Sequence, residues 1–279
     1  MSGCEAIEDK EDGLYMPEVG DWSVTKYRLL SAYAQVFATS MKAKWDERVY
    51  LDLFAGAGKA RTPSKVVLSS ALLALGIRDP FNRYIFCDRD ANCIEALQKR
   101  VQLAAPDATV RYVTTEINSS VEQLTSQMPR ASSQHTVLTF CFVDPFGLSD
   151  LHFRTIQQLS RYRMDFLIHL PAMDPRRNEA LYHRSNEIVD LFLGDEKWRA
   201  DWEKNKTTYP FDYFVAEQFA ARMRGLGYSF TSIPESVLVR STVKNLRLYR
   251  LALCTKHPLA ARFWKEIKKC TEDQHMLSF

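Results

Sequence analysis

The stretch Val49-Tyr50-Leu51-Asp52-Leu53-Phe54-Ala55-Gly56-Ala57-Gly58 decides the fold of this chain. In it, an apolar run with one acidic residue leads directly into a turn with two glycines. Further along, a second apolar run, Tyr84-Ile85-Phe86-Cys87, ends in Asp88. In open α/β sheets, glycines after one strand let the backbone approach a ligand, and a carboxylate after the next strand reaches ribose hydroxyls. The spacing therefore predicts a crevice for a nucleoside cofactor.

A third apolar run ends in an acid, a proline and an aromatic residue. It reads Phe140-Cys141-Phe142-Val143-Asp144-Pro145-Phe146-Gly147. Strands that are apolar along their whole length are expected where helices cover both faces of a parallel sheet. The ends of such strands bring ligand-binding residues to one edge of the sheet. We therefore expect Asp52, Asp88 and Asp144 to lie along one edge.

The composition is that of a globular protein. With 279 residues, the chain fits one large domain or one domain with an insertion, and its 46% apolar content suffices for a packed core. No apolar run approaches the ~18 residues of a membrane span, and the acidic N-terminus is unlike a signal peptide. The six cysteines form no C-x-x-C pair, and the histidines lack zinc-site spacing. The composition predicts a cytoplasmic protein with reduced thiols and without a membrane segment or a bound metal.

Four segments follow one another along the chain. Residues 1–21 hold seven acidic side chains and one lysine, and we expect a disordered acidic tail there. Residues 22–171 alternate strand-like and helical patterns after an N-terminal helix, which predicts a parallel sheet with right-handed crossovers. Residues 172–226 have a helical pattern typical of a cap inserted over the sheet, and residues 227–279 should complete the core with an antiparallel pair and a helix. The five core strands are predicted at 49–54, 83–87, 109–114, 136–143 and 165–170.

Parallel strands followed by an antiparallel pair resemble the Rossmann-like sheet of Class I S-adenosylmethionine-dependent methyltransferases. Four motifs carry a closer resemblance. They are Asp52-Leu53-Phe54-Ala55-Gly56-x-Gly58, Val143-Asp144-Pro145-Phe146-Gly147, Leu191-Phe192-Leu193-Gly194-x3-Trp198 and Leu248-Tyr249-Arg250-Leu251-x4-Lys256-His257-Pro258-x4-Phe263-Trp264. Over about residues 22–270 the chain resembles the three-Cys-motif partner family, a bacterial group with a methyltransferase-like fold that accompanies a separate protein with three cysteines.

The resemblance implies S-adenosylmethionine as the cofactor. Gly56 and Gly58 would let the backbone pass beside its methionine portion, and Asp88 would accept hydrogen bonds from both ribose hydroxyls. Asp52 would bind nearby amides or the ammonium group, and Glu116 or Asn118 would read the adenine edge. The residues implied in cofactor binding are Asp52, Phe54, Ala55, Gly56, Gly58, Asp88, Arg89, Glu116 and Asn118. Each acid by itself could equally be a helix N-cap or a turn residue.

The motif Asp144-Pro145-Phe146-Gly147 resembles the Asp/Asn-Pro-Pro-aromatic motif of amino-methyltransferases and the corresponding motif of guanine-N2 transfer-RNA methyltransferases. The resemblance implies that the acid and the proline carbonyl accept the N–H bonds of a planar amine, while the aromatic ring stacks on the base. It makes Asp144, Pro145, Phe146 and Gly147 the candidate catalytic residues. The structural alternative is a turn in which Asp144 caps a helix and Phe146 packs in the core.

The substrate side rests on fewer residues. Arg176 and Arg177 stand at the start of the predicted cap, where they could contact phosphates of RNA or DNA. His169, inside the fifth strand, is either a pocket residue or a core histidine. The favoured function is an N-methyltransferase acting on an exocyclic amino group of a nucleobase. The alternatives are a non-catalytic or cofactor-sensing partner subunit of a three-cysteine-motif protein, with Trp264 in the interface, and a small-molecule methyltransferase.

Overall fold

The computed structural model describes residues 7–184, 187–241 and 245–276, with side chains described as far as residue 269. The chain divides into two compact units. The first comprises Met1–Phe142 and Glu266–Phe279, and the second comprises Val143–Lys265. The first unit carries the glycine turn and Asp88, and the second carries the Asp-Pro-Phe-Gly motif.

The first unit alternates strands and helices and adds two short hairpins. Its elements are β1 (Ile7–Glu8), β2 (Tyr15–Met16), α1 (Ser23–Met41), β3 (Glu47–Asp52), β4 (Lys59–Arg61), β5 (Val66–Leu68), α2 (Ser70–Leu75), β6 (Arg83–Asp88), α3 (Ala91–Ala104), β7 (Val110–Thr114), α4 (Val121–Thr125) and β8 (Val137–Val143). The chain continues through a single 3₁₀ turn, Leu148–Asp150. The later elements are α5 (Phe153–Leu159), β9 (Met164–Pro171), α6 (Met173–His183), α7 (Ile188–Leu193), α8 (Trp198–Asn205), α9 (Phe211–Gly225), β10 (Val237–Arg240), β11 (Arg247–Cys254) and α10 (Pro258–Met276).

The central sheet has seven strands in the order β10-β11-β9-β8-β3-β6-β7. Strand β3 pairs in parallel with both β6 and β8, and β6 pairs in parallel with β7. Strand β11 is antiparallel to both of its neighbours, β9 and β10. This mostly parallel sheet with a C-terminal antiparallel pair is the Rossmann-like sheet of the Class I methyltransferase fold, which confirms the predicted fold class. All five predicted core strands are present, with ends within two residues of the predicted ones.

Strand β3 forms because buried side chains fill both of its faces. Residues 48–52 of β3 are all buried. The ring of Tyr50 packs against Phe81 and Phe140, with centroid distances of 5.5 and 5.7 Å. From the helical layer, Tyr33 of α1 reaches Phe140 at 5.1 Å. Packing on both faces fixes the register of β3, and therefore the position of the glycine turn that follows it.

The N-terminal segment differs from the disordered acidic tail expected over residues 1–21. Residues 1–6 lie outside the described residues, but β1 and β2 pair as an antiparallel hairpin. Further on, Val19 N donates a hydrogen bond to Arg61 O at 2.8 Å. Asp9, in the hairpin, is only 1% exposed. Asp9 and the hairpin that carries it are therefore part of the first unit.

Helices α6, α7, α8 and α9 occupy residues 173–225, where the sequence has its second helical region. Their aromatic side chains form a core of their own. The ring of His183 lies 5.3 Å from those of Trp198 and Phe211, and the ring of Trp202 lies 5.1 Å from those of Phe211 and Phe214. This cluster accounts for the aromatic-rich composition of the region. Among the described helices, none combines the length and the apolar character needed to cross a bilayer.

Candidate cofactor and substrate sites

The turn after β3 contains two glycines with left-handed backbone. Gly56 has a φ of +60° and Gly58 a φ of +83°, conformations that other residues rarely adopt. Around Gly56 the space is open, with nothing within 4 Å of the position of a Cβ. At Gly58 a Cβ would meet Leu97 Cδ1 at 2.9 Å and Leu72 Cγ at 3.1 Å. Gly56 thus leaves the backbone accessible, whereas Gly58 lets the turn pack closely onto α2 and α3.

Asp88, at the end of β6, binds this turn directly. Its Oδ2 accepts a hydrogen bond from Gly56 N at 2.8 Å, and its Oδ1 accepts one from Asp90 N at 3.0 Å. Burial raises the pKa of Asp88 by more than these two bonds lower it. A carboxylate offers about four acceptor positions, of which two backbone bonds use about two. The structure therefore brings Gly56 and Asp88 together and leaves acceptor capacity for further donors.

Asp52 shapes the entry to the turn. Its side chain is completely buried and accepts hydrogen bonds from the Tyr50 hydroxyl at 3.2 Å and from Phe54 N at 3.3 Å. Next along the chain, Ala55 N donates to Cys87 O at 2.8 Å, which joins the chain after β3 to the end of β6. These bonds give Asp52 a structural role. Its contact with a cofactor stays a prediction.

Glu116 and Asn118 lie in the turn after β7. Glu116 Oε1 accepts a hydrogen bond from Asn118 Nδ2 at 2.8 Å, and its Oε2 accepts one from Ser119 N at 2.9 Å. Burial raises the pKa of Glu116, but the bonds from Asn118 and Ser119 outweigh it and leave the pKa lowered. Glu116 is thus an ionised acceptor that also organises its own turn. Arg89 is exposed just after β6. The roles of these residues toward a cofactor stay predictions.

Arg100, which sequence analysis missed, holds the glycine turn from the protein side. It lies on the buried face of α3 and is only 3% exposed. Its Nη1 donates to Ala57 O at 2.7 Å and to Tyr15 O at 2.8 Å. Its Nε and Nη2 form a bidentate ion pair with Asp12, both at 2.9 Å. The sequence did contain a signal for this role, because Arg100 stands at a position of α3 where the helical pattern calls for an apolar residue. An arginine buried there requires hydrogen-bond acceptors inside the protein.

Lys59, directly after Gly58, makes a second link to the N-terminal hairpin. Its Nζ lies 2.7 Å from Asp9, 3.1 Å from Glu11 and 3.2 Å from Asp12. Burial opposes the charged form of Lys59, but the hydrogen bonds to these three acids outweigh it and raise the pKa. The acids expected in a free tail are therefore counterions of the glycine turn.

In the second unit, Asp144-Pro145-Phe146-Gly147 forms the turn at the end of β8. Asp144 is largely buried, with 15% of its side chain exposed. His169 Nδ1 lies 3.1 Å from Pro145 O and 3.6 Å from Asp144 Oδ1. Because a carbonyl oxygen only accepts, His169 Nδ1 carries the hydrogen of the bond to Pro145. His169, whose ring packs 4.5 Å from that of Tyr249, therefore positions the Asp-Pro backbone.

Phe146 is 75% exposed, so the alternative in which it packs in the core is wrong. The backbone that follows it is fixed by hydrogen bonds. Gly147 N donates to Asp150 Oδ2 at 2.9 Å. Leu148 N donates to Asp174 Oδ2 at 3.0 Å. A flat apolar ring on a fixed turn, two residues after a carboxylate, is a surface on which a planar ligand can stack.

The remaining predicted positions have simpler surroundings. Arg176 and Arg177 lie near the start of α6 and are both exposed. Trp264 is 3% exposed and donates from Nε1 to Glu235 O at 3.2 Å. Its suggested place in an interface stays a prediction. Within the described part of the chain, no three His, Cys, Asp or Glu side chains group as metal ligands would.

Comparison with known proteins bears on the fold alone. No family model matches the chain, and no curated protein matches it. The resemblance to the three-Cys-motif partner family therefore has no support from these comparisons. Among solved structures, protein LPL1258 of Legionella pneumophila, from family DUF519, has a TM-score of 0.52 and 14% identity, covering 90% of this chain and 91% of that chain. At this identity the likeness shows a shared fold.

Two solved structures with bound S-adenosylmethionine are less similar. Magnesium protoporphyrin IX methyltransferase (ChlM) of Synechocystis has a TM-score of 0.42 and 10% identity, covering 84% of this chain and 80% of that chain. Trm1 of Pyrococcus horikoshii has a TM-score of 0.40 and 11% identity, covering 95% of this chain and 62% of that chain. Similarity at this level leaves the function to be inferred from the site residues themselves.

Proposed function

We propose that this chain is an S-adenosylmethionine-dependent N-methyltransferase that acts on an exocyclic amino group of a nucleobase in RNA or DNA. The observation that carries the proposal is the exposed ring of Phe146, directly after Asp144-Pro145 at the end of β8. Because the ring is exposed on a turn whose backbone is held by hydrogen bonds, its face is open for stacking on a base. In a Class I methyltransferase sheet, a carboxylate followed by a stacking ring suits a planar amine.

The first unit has the residues to hold the cofactor. Asp88 retains acceptor capacity for the two ribose hydroxyls, since its backbone bonds use only part of it. The open space at Gly56 leaves room for a ligand beside the backbone. The ionised carboxylate of Glu116 and the amide of Asn118 offer polar groups for the adenine edge. These features fit the nucleoside portion of S-adenosylmethionine.

Methyl transfer requires mainly that the substrate nitrogen, the methyl carbon and the sulfur are aligned. Bound S-adenosylmethionine supplies a methyl group on a sulfonium, which is already an activated leaving group. The substrate nitrogen forms its bond to the methyl carbon as the carbon–sulfur bond breaks, and the nitrogen then loses a proton. Asp144 would accept an N–H bond of the amine and take up that proton. His169 would keep the Pro145 carbonyl in place as a second acceptor, while Phe146 holds the base flat.

Methyl transfer from radiolabelled S-adenosylmethionine to total RNA and total DNA tests the proposal. We expect label in an N-methylated nucleoside after digestion and chromatography. Phe146→Ala should lower the labelling rate about tenfold, because stacking contributes ~1–3 kcal/mol per base. Phe230→Ala is the matched control, since Phe230 is another exposed aromatic residue of the second unit, at 41%. Label found only in small molecules, or equal rates for both variants, would contradict the proposal.

A second candidate function is a partner subunit of a three-cysteine-motif protein, as the family resemblance implies. The observation that favours it is an apolar cavity of 410 Å³ in the second unit, lined by Leu253, Pro258 and Trp264 with Phe230 at its exposed side. On this hypothesis, the wild type shows no methyl transfer. Phe230→Glu should abolish its co-purification with such a partner. Co-purification that survives Phe230→Glu would argue against this surface.

A further inference from the structure

The second unit holds several arginines around one buried acid. Asp212, in the first turn of α9, has a side chain with 0% exposure, and its Oδ1 lies 2.8 Å from Arg247 Nη2. The positive charges of Arg247, Arg250 and Arg176 all act on this carboxylate. Arg240 adds its charge beside Arg250. We call Arg176, Arg240, Arg247 and Arg250 the arginine cluster. Three of its members act on the Asp212 carboxylate, and the fourth, Arg240, acts on Arg250.

The arginine cluster is short of negative charge. Burial lowers the pKa of Arg250, and the neighbouring Arg247 and Arg240 lower it further, so the opposing effect of Asp212 does not restore it. The Nε of Arg250 is buried, and no described residue accepts a hydrogen bond from it. Its guanidinium is held over the ring of Tyr213, 5.3 Å from the centroid. A buried donor without an acceptor is costly unless a ligand supplies one.

The topology of the second unit places the cluster at the carboxyl end of β9. Arg250 of β11 stands opposite Leu170, the residue before the last of β9. Arg176 lies near the start of α6, the helix that follows β9. Ligands of open α/β sheets bind at the carboxyl ends of strands. The neighbouring residue of β9, His169, contacts Pro145 of the Asp-Pro-Phe-Gly turn. The cluster and the turn thus lie at the same end of β9, with the side chains of Arg250 and His169 on opposite faces of the sheet.

We propose that the arginine cluster binds a backbone phosphate of the nucleic-acid substrate. Guanidinium groups recognise phosphate through paired, charge-assisted hydrogen bonds. Contacts of this kind fix the position of a nucleic acid without reading its sequence, which leaves the base to Asp144 and Phe146. Asp212 competes with the phosphate for Arg247, so replacing the acid and replacing an arginine should have opposite effects. This inference rests on the proposed function, because it states how that substrate is held.

Fluorescence anisotropy with labelled single-stranded RNA and DNA oligonucleotides, over a series of KCl concentrations, tests the proposal. Arg250→Gln should weaken binding about tenfold and reduce the slope of log K against log [KCl] by about 0.7, as for one lost phosphate contact. Arg176→Gln, at an exposed position that folding does not need, should act in the same direction. Asp212→Asn should strengthen binding. Arg262→Gln is the matched control, an exposed arginine of α10 in the same unit, and should match the wild type.

Wild-type affinity and slope in both Arg250→Gln and Arg176→Gln would overturn the proposal. Tighter binding of polyglutamate than of either oligonucleotide would also overturn it. Inorganic phosphate, added at matched ionic strength, distinguishes the source of the anion: weak competition supports a phosphodiester. Tight phosphate binding with no oligonucleotide binding would instead assign the cluster to a small phosphorylated ligand and overturn the nucleic-acid assignment.

Calorimetry with S-adenosylhomocysteine separates this inference from the proposed function. Arg250→Gln should bind the compound as the wild type does, because the cofactor residues lie in the first unit. A wild type that binds oligonucleotides through the cluster but binds no cofactor would refute the methyltransferase and leave the phosphate site standing. Circular dichroism melts of each variant show whether a loss of binding is a loss of folding.

Discussion

The two candidate sites differ in how many of their polar and charged groups have partners within the chain. In the first unit the glycine turn is held by hydrogen bonds from both sides, because Asp88 accepts from Gly56 and Arg100 donates to Ala57. In the second unit the Asp-Pro-Phe-Gly turn presents Phe146 with 75% exposure. The arginine cluster of that unit likewise has more positive charge than Asp212 can balance.

The difference matches the ligands that the proposal assigns. A small cofactor gains from a site fixed in advance, because less conformational freedom is lost on binding. A nucleic acid brings its own phosphates and base faces, so its site can keep spare cations and an exposed ring until the ligand arrives. Changes in the first unit should therefore reduce cofactor affinity or stability, whereas changes at the second site should spare both and reduce methyl transfer.

Asp144→Ala should have the largest effect. We expect kcat for methyl transfer to fall by about 10²–10⁴, the range for losing a positioned proton acceptor. Asp144→Asn, which keeps a carbonyl oxygen, should lose less. Cofactor affinity, measured by calorimetry, should match the wild type in both variants. A parallel loss of cofactor affinity would remove the functional distinction between the two sites.

Arg100→Met should destabilise the protein. It leaves the Ala57 carbonyl and the Asp12 carboxylate without their buried partner, so the free energy of unfolding in urea should fall by about 3 kcal/mol. Lys99→Met is the control from the same helix, because Lys99 pairs with Glu95 on the surface and should contribute less than about 1 kcal/mol. Equal losses in the two variants would mean that Arg100 does not hold the turn.

Asp88→Ala should weaken cofactor binding about 100-fold, since two charge-assisted hydrogen bonds are lost. The pH dependence gives the sign. Only the ionised carboxylate accepts from both ribose hydroxyls, and burial raises the pKa of Asp88. Cofactor affinity should therefore be full above the pKa of Asp88 and should decline as the pH falls through it. The decline should begin at a higher pH than for an aspartate with an ordinary pKa. Asp88→Asn should show a flat calorimetric profile over the same range; a decline equal to that of the wild type would exclude Asp88 as the titrating group.

Phe146→Ala should have the smallest effect on stability. An exposed ring contributes little to folding, so the free energy of unfolding should change by less than about 0.5 kcal/mol. Phe140→Ala, at a fully buried position of β8, the strand that precedes this turn, should cost about 3–5 kcal/mol in the same urea titration. A large cost at Phe146 would show that its ring serves the core and not a ligand.

The parts of this molecule that follow local rules were predictable from the sequence. Strands β3, β6 and β8 are mostly apolar on both faces, and that pattern placed them within two residues. The contact of Gly56 with Asp88 was also predictable. Gly56 follows the end of β3 and Asp88 ends β6, and the ends of neighbouring parallel strands lie at one edge of the sheet.

The parts that depend on contacts between residues distant in sequence were not predictable. Asp9 and Asp12 meet Lys59 and Arg100 across 50 and 88 positions, and their local composition resembles that of a disordered segment. Nor does local sequence tell an exposed aromatic residue from a buried one. Sequence analysis left Phe146 open between the core and the site, and it did not predict that Trp264 is buried. Such positions depend on what the rest of the chain brings beside them.

Calorimetric titration with S-adenosylhomocysteine tests most directly whether the first unit holds the cofactor at Gly56 and Asp88. We expect a micromolar Kd with one site per chain for the wild type and for Asp144→Ala, and a Kd about 100-fold weaker for Asp88→Ala. Absence of heat from the wild type with either S-adenosylhomocysteine or S-adenosylmethionine, or undiminished binding by Asp88→Ala, would contradict this account.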